Sequence, residues 1–235
     1  MTELVEALQD VSRVGPYFAV ELGGTGPQWL PLRQLVEDAD TRHERVGFVV
    51  TELARRSGEP AGALDARAAA SIWFQGLAAR LVVPALGTAA IASVVPAFDL
   101  PDVWWQRVDG GPVPVALTAV AARPAATPGA AADALQALLD TVVAPLLEAF
   151  TADVSRKVLW GNVGSSLASA ARQLHRSDAA LRQDPVDVVD TLLNRPGPLR
   201  AAGRFETGER FFVRASCCLF YRIPDGGKCG DCVLL

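Results

Sequence analysis

Apolar side chains recur three and four residues apart along most of the chain, the spacing that places them on one face of an α-helix. At the N-terminus, apolar residues at positions 4, 5, 8 and 11 follow this pattern after Thr2, a candidate capping residue. The same spacing predicts further helices over residues 41–56, 63–81, 134–150, 155–176 and 185–193. Most of the chain is therefore expected to be helical.

Other segments carry the patterns of β-strands. Residues 17–22 predict one short strand. Two apolar runs, residues 103–105 and 113–117, flank the sequence Asp109-Gly110-Gly111, which predicts a hairpin with a glycine turn. Residues 205–220 alternate in part and favour extended chain. Together the patterns predict an α+β fold that is mainly α-helical, with a small antiparallel sheet and a C-terminal tail packed against the body.

One stretch, residues 81–98, is long enough to be checked against a membrane span, because its eighteen residues carry no charge. Pro84 and Pro96 interrupt it near both ends, and alanine supplies much of its apolar content. We therefore expect this stretch to be helical and buried in the core. One helix should end at Pro84, and a second should continue to Val95. A span is the less favoured alternative.

Residues 121–133 are rich in alanine and proline and predict a connector. Placing a boundary there divides the chain into an N-terminal α+β region, residues 1–120, and a helical region, residues 121–204. The remaining residues, 205–235, form a C-terminal segment. Within the helical region, Gly161 and Gly164 keep one flank of the predicted helix 155–176 thin, so another backbone or a ligand can approach it closely.

Composition is that of a soluble globular protein, with 50% hydrophobic and 20% charged residues in 235. The formal net charge of −4 argues against a nucleic-acid partner. The start of the chain is acidic and amphipathic, unlike a signal peptide. These features predict a cytoplasmic protein without a membrane span.

All four cysteines, Cys217, Cys218, Cys229 and Cys232, fall within sixteen positions near the C-terminus in the pattern C-C-x10-C-x2-C. Four clustered thiols can hold a tetrahedral zinc ion, ligate a [2Fe–2S] cluster or form two disulfides. Disulfides are disfavoured because cytosolic thiols normally stay reduced.

The spacing of the cysteines separates the two metal alternatives only modestly. Zinc sites usually use two C-x2–4-C turns, and only Cys229 and Cys232 form one here. Cys217 and Cys218 are neighbours, so in extended backbone their side chains point to opposite faces. Joint ligation by this pair requires a turn or a distorted strand. A two-iron cluster offers more widely separated attachment points, so the pattern favours a cluster over zinc. A zinc site remains the alternative.

The segment RASCCLFYRIPDGGKCGDCVL, residues 214–234, resembles the C-terminal signature of the FhuF family of ferric-siderophore reductases. In that family the adjacent cysteines and the later C-x2-C bind a [2Fe–2S] cluster. The resemblance therefore implies that Cys217, Cys218, Cys229 and Cys232 are cluster ligands and that the tail is a [2Fe–2S]-binding tail. A weaker likeness lies at residues 159–162, where family members often carry a tryptophan and a polar residue.

The activity implied by the resemblance is transfer of one electron to Fe(III) held in a siderophore, which we expect to be of the hydroxamate type. No nicotinamide or flavin fingerprint is visible in the sequence, so a donor protein such as a ferredoxin is expected. Candidate substrate-binding residues are Trp160, Asn162, Arg214 and Arg222. A surface pair of Arg222 with Asp225 or Asp231 is the alternative for that arginine. A siderophore-binding protein with structural zinc and a cluster-based redox sensor are the alternative functions.

Overall fold

The computed structural model describes residues 2–23, 26–207 and 211–235. Its helices are α1 Thr2–Ser12, α2 Arg33–Glu37, α3 Ala39–Ser57, α4 Ala66–Ala92, α5 Pro128–Leu138, α6 Ala144–Ala149, α7 Arg156–Arg176 and α8 Pro185–Asn194. A π-helical turn, Leu139–Val143, joins α5 to α6. The strands are β1 Glu21–Leu22, β2 Trp29–Pro31, β3 Val94–Ala97, β4 Val103–Gln106, β5 Val115–Leu117, β6 Ala121–Pro124, β7 Gly203–Phe205 and β8 Phe212–Arg214. The α+β class with mainly helical content is confirmed.

Helix α4 is the centre of the molecule. It packs along α7 and is also flanked by α1 and α3. Most of its side chains are buried from Ala68 to Ala90. Small residues allow this close packing: a Cβ at Gly87 would lie 2.1 Å from Cγ2 of Val11 in α1.

The predicted break at Pro84 is wrong, because α4 runs through this proline without ending. A proline inside a helix removes one backbone hydrogen bond and costs about 3 kcal/mol. Pro84 and its neighbours on both sides are buried, so hydrophobic burial offsets that cost. The expected second helix is the second half of α4. Its last residue is Ala92, and Val95 lies instead in β3.

The sheets are small, and the predicted hairpin is confirmed. Strands β4 and β5 pair antiparallel, with Val103 opposite Leu117 and Trp105 opposite Val115. Strands β1 and β2 complete a four-stranded sheet of order β1-β5-β4-β2, in which β1 runs parallel to β5. Two further pairs, β3 with β6 and β7 with β8, are antiparallel.

The predicted strand over residues 17–22 is mostly wrong, because only Glu21–Leu22 forms a strand. The Arg80 guanidinium, buried in α4, donates hydrogen bonds to the carbonyls of Pro16 and Ala19. A side chain therefore satisfies backbone groups that a neighbouring strand would otherwise bind. Phe18 is fully buried in the core beside Gly87.

The expected connector, residues 121–133, is wrong as local structure. Its first part is β6, which pairs with β3, and its last part belongs to α5, which is capped by the Thr127 side chain. One continuous hydrophobic cluster includes buried side chains from Val11 to Phe212, so all three predicted regions contribute to it. The division into regions 1–120, 121–204 and 205–235 stays a prediction.

Within the described ranges, two helical segments are long and apolar enough to cross a membrane by length and composition alone: α4, and the continuous segment Pro128–Ala149. In α4, 83% of the apolar window is buried inside the fold, and in the second segment 56% is buried. The expected burial of residues 81–98 is therefore confirmed for the part that lies in α4, which ends at Ala92.

Candidate metal centre

The C-terminal tail, residues 215–235, follows β8 and turns back on itself. Leu219 has a left-handed conformation (φ 69°), which is uncommon for a residue other than glycine. A single 3₁₀ turn, Phe220–Arg222, follows it. Asp225 and Gly227 also have positive φ and reverse the chain before Cys229. The turn that joint ligation by Cys217 and Cys218 required is thus present immediately after the pair.

These turns place the thiols in two pairs. The sulfurs of Cys218 and Cys229 are 3.6 Å apart, and the thiol of Cys232 is a hydrogen-bond partner of Cys217. None of the four cysteines forms a disulfide, and among the described residues no three His, Cys, Asp or Glu side chains are grouped so that they could hold one metal ion. Two thiolates bound at about 2.3 Å to one tetrahedral metal ion lie about 3.8 Å apart, so the first pair already has the spacing of two ligands on one metal. A two-iron cluster takes two thiolates on each iron, which suits the observed pairing.

Backbone N–H groups donate to the sulfurs. The N–H of Leu219 donates to Sγ of Cys217, and the N–H of Leu234 donates to Sγ of Cys232, each at 3.4 Å. The Phe220 N–H donates to Cys218. Such hydrogen bonds stabilise negative charge on sulfur and help to set the potential of an iron–sulfur centre.

The pair Cys218 and Cys229 shares a proton unequally. The pKa of Cys218 is lowered to about 6, mainly because the Cys229 thiol donates a hydrogen bond to it and also because the Arg214 guanidinium is close. The pKa of Cys229 is raised, because Cys218 accepts its proton and because burial disfavours its charge. Burial also raises the pKa of Cys217. Thiolate is the form in which cysteine binds a metal, so the lowered pKa of Cys218 favours its binding form.

A chain of buried hydrogen bonds joins the tail to α4 and α7. The Arg214 guanidinium donates to Oδ1 of Asn162 in α7. Nδ2 of Asn162 donates to the carbonyl and the hydroxyl of Ser71 in α4, at 2.9 and 3.0 Å. The Ser71 hydroxyl donates in turn to the carbonyl of Cys218 at 2.8 Å. The two central helices thereby fix the backbone that carries the adjacent cysteines.

The thin flank of α7 accommodates this tail. A Cβ at Gly161 would lie 2.2 Å from Oγ of Ser216, so any larger residue would displace the tail. The Ser216 hydroxyl donates to the carbonyl of Lys157 at 3.0 Å. One turn further along α7, the Ser165 hydroxyl donates to the carboxylate of Asp231. The flank is closely approached, as predicted, but the nearest atoms at Gly161 belong to the side chains of Ser216 and Arg214 rather than to a backbone or a ligand.

The four predicted substrate-binding residues lie in different environments. Asn162 is fully buried, and Trp160 and Arg214 are nearly so. Arg222 is exposed and pairs with Asp65, the capping residue of α4, at 2.8 Å. The expected partners Asp225 and Asp231 are therefore wrong, because the 3₁₀ turn points Arg222 toward the start of α4. A substrate role for the four residues stays a prediction.

An open cleft of about 360 Å³ lies between α4, α7 and the tail. The thiol-bearing residues Cys218 and Cys229 line it, and so does Arg214, alone among the four predicted substrate residues. Nε and Nη1 of Arg214 are buried without a hydrogen-bond partner. A buried cation with two unpaired donors beside the thiols fits the negative charge that an iron–sulfur cluster carries.

Sequence reasoning missed the polar residues of α4 that build this site. Ser71 holds the Cys218 carbonyl, and Gln75, one turn later, lines the cleft. A signal was available, because both are polar residues four positions apart in an otherwise alanine-rich apolar helix. Side chains at this spacing share one helix face.

Comparison with known proteins points to the same segment. Residues 214–234 match the model of the FhuF 2Fe-2S C-terminal domain, and this range contains all four cysteines. The chain is 28% identical over 116 residues to the ferric siderophore reductase of Escherichia coli (strain K12). That match spans 46% of this chain and 44% of the relative, so less than half of either protein is covered.

Proposed function

Because the C-terminal segment of this chain is a [2Fe–2S] domain of the FhuF family, we propose that the protein is a ferric-siderophore reductase. The observation that carries the proposal is the open cleft between α4, α7 and the tail, lined by Cys218 and Cys229. A ferric chelate in this cleft would lie directly beside two cluster ligands. Short separation is what one-electron transfer between two metal centres requires.

We assign the four ligands to Cys217, Cys218, Cys229 and Cys232. When bound, a [2Fe–2S] cluster supplies one electron at a time. The chain contributes the remaining features: N–H donors from Leu219 and Leu234 to the sulfurs, and the Arg214 cation beside them. Ser71 and Asn162 hold the adjacent cysteines in place, which limits movement of the ligands between oxidation states.

The substrate chemistry follows from iron coordination. Hydroxamate oxygens are hard donors that bind Fe(III) far better than Fe(II). One electron delivered to the chelate converts Fe(III) to Fe(II), weakens the complex and lets iron pass to other acceptors. A ferric hydroxamate is neutral or cationic with carbonyl oxygens at its rim. The side chains of Gln75, Gln173 and Arg214 line the cleft and can donate hydrogen bonds to such a rim.

Each cycle consumes one electron, which must be resupplied. The sequence carries no nicotinamide or flavin fingerprint, so we propose a small electron-carrier protein such as a ferredoxin as the donor. Its reduced form would restore the starting state after each turnover, and the reaction would take place in the cytoplasm.

The proposal is tested in two steps. Purified protein should be red-brown and contain about two irons and two acid-labile sulfides per chain. Reduced anaerobically with dithionite and mixed with a ferric trihydroxamate, it should be reoxidised by one electron, and ferrozine should speed the net reaction by trapping Fe(II).

Two results would overturn the proposal. Stoichiometric zinc without labile sulfide would favour the siderophore-binding alternative. A reduced cluster that persists in a large excess of several ferric chelates would favour the redox sensor.

A further inference from the structure

A second cleft, of about 300 Å³, adjoins the cleft at the thiols. It lies between α3, α4 and the loop of the β4–β5 hairpin. The two clefts share three lining residues, Tyr17, Ile72 and Gly76. Ile72 and Gly76 are one turn apart on α4, so the clefts meet over a single ridge of that helix.

Gly76 lowers this ridge. A Cβ built there meets no atom within 4 Å, which means that the space above the helix is open. Glycine inside a helix costs about 1 kcal/mol relative to alanine, and neither a positive φ nor a close neighbour requires glycine at this position. Because Gly76 has no side chain, an open passage joins the two clefts.

The second cleft offers hydrogen-bond donors. Nε1 of Trp73 and Nε of Arg45 belong to residues that line it, and both atoms are buried without a partner. The Arg45 guanidinium lies over the Phe48 and Trp105 rings, 4.5 and 5.9 Å from their centroids, which holds its position. A buried donor without a partner is unfavourable, and an acceptor on a ligand would satisfy it.

Two acidic residues, Glu52 and Asp109, line the second cleft. The Glu52 carboxylate accepts hydrogen bonds from Arg55 and Arg56, at 2.6 to 2.9 Å, and Asp109 is exposed to solvent. The buried, unpaired polar atoms of the described lining residues are donors, and a ligand rich in oxygen acceptors matches them better than a cationic one.

We propose that the two clefts form one groove for an extended, oxygen-rich chelator. Its ferric centre lies beside Cys218 and Cys229, its chain crosses α4 over Gly76, and its distal carbonyl oxygens reach Trp73 and Arg45. This inference rests on the proposed function and adds a second subsite to it. Ligand sites typically enclose 300–1,000 Å³, so each cleft alone is near the lower limit and the joined groove is well within the range.

Binding is measured by calorimetry with the gallium(III) complex of a linear trihydroxamate, because Ga(III) resembles Fe(III) but is not reduced here. The variant Gly76→Phe places a ring in the open passage and should weaken binding about tenfold or more, because the chain that connects the hydroxamates can then no longer cross α4 there. Gly47→Phe is the matched control: Gly47 lies in α3, lines neither cleft, and also has no atom within 4 Å of a built Cβ. It should bind like the parent protein.

A second variant tests the second cleft alone. Val49 lines only that cleft, so Val49→Trp should weaken binding of the trihydroxamate complex. The same variant should leave binding of gallium(III) tris(acetohydroxamate), which has no connecting chain, unchanged. Circular dichroism confirms that each variant is folded.

The outcomes separate this inference from the proposed function. If Gly76→Phe and Val49→Trp both bind the trihydroxamate complex as tightly as the parent protein, the groove is not the site, even where the parent reduces the ferric complex. If the parent protein binds the complex but reduces no ferric chelate, the groove stands and the reductase proposal fails. If the parent protein does not bind the gallium complex, the groove proposal is overturned.

Discussion

Among the neighbours of helix α4, α7 and the C-terminal tail make contacts of different composition. Most buried side chains of α4 and α7 are apolar, and hydrogen bonds from Asn162 to Ser71 and from Gln75 to Ser165 add a few polar links between these two helices. Against the tail, α4 presents Ser71, which takes part in a chain of hydrogen bonds through Asn162 and Arg214. Apolar packing needs only shape and volume, whereas a buried polar network needs every partner in place.

Because of this difference, the stability of the helical body and the binding of the cluster by the tail should respond to different substitutions. The helical body can fold on apolar burial alone, because burial of large side chains supplies most of its stabilisation. The tail buries less apolar surface: Ile223 packs in a small cluster with Ala54 and Ala68. It depends in addition on hydrogen bonds and on the metal that its thiols hold. We therefore expect changes in the tail to remove the cluster without unfolding the body, and changes in the body to act on both.

The largest effect is expected from Cys229→Ser. Loss of one thiolate should remove most of the visible absorption and the bound iron, while the helical circular dichroism stays close to that of the parent protein. Val233→Ser, at an exposed tail position next to Cys232, is the control and should keep its colour. Loss of helical signal together with the colour would mean that the body depends on the cluster.

Leu77→Ala tests the apolar contact. Leu77 is fully buried in α4, so the change should lower the free energy of unfolding by about 2–5 kcal/mol in a urea titration. The iron content per folded molecule should not change. Arg67→Ala, at an exposed position of the same helix, should alter stability by less than about 0.5 kcal/mol. An equal loss in both variants would contradict the assignment of α4 as the core.

Asn162→Ala tests the polar contact. The change leaves the Arg214 guanidinium and Ser71 without their shared partner, which should cost about 1–3 kcal/mol. We expect faster hydrogen exchange in residues 214–222 and faster loss of iron to a chelator, with unchanged exchange in the middle of α5. Asn194→Ala, in the exposed last turn of α8, should resemble the parent protein. Unchanged exchange in the tail would show that the network is not what holds it.

The smallest effect is expected from Arg222→Ala. Its partner, Asp65, has a lowered pKa because the Arg222 guanidinium donates a hydrogen bond to its carboxylate. The pair therefore contributes above the ordinary Asp pKa of 3.8, and the contribution is lost as the pH falls through the lowered value. An exposed ion pair contributes little, so the variant should differ from the parent only slightly at pH 7, and this difference should shrink as the pH falls through the lowered pKa of Asp65.

A matched control and one contrary result complete this test. Arg13→Ala removes an exposed pair within α1, far from the tail, and should have a similarly small effect on unfolding. A large rise in the half-saturating siderophore concentration for Arg222→Ala alone would mean that Arg222 binds the ligand, as the family resemblance implies.

Much of the local structure was predictable, and the errors have identifiable causes. Helix α7 and the β4–β5 hairpin follow from the spacing of apolar residues and from a glycine turn. Intrinsic propensity predicts a helix end at Pro84, because it does not include the burial that overrides it. The local pattern predicts strand at residues 17–20, because nothing in it reveals that Arg80, about sixty residues later, binds the carbonyls of Pro16 and Ala19.

The metal-binding chemistry of the tail can be read from the amino-acid sequence, because clustered thiols and their order along the chain are local properties. Their spacing favours a [2Fe–2S] cluster over zinc only modestly, and the resemblance of residues 214–234 to the FhuF signature is the stronger argument. What faces the thiols depends on the fold: the cleft, the buried Arg214 donors and the low ridge at Gly76 arise where α4, α7 and the tail meet. Residues 76, 173 and 229 are far apart in the chain, and contacts between them depend on how whole helices pack, which no local pattern records.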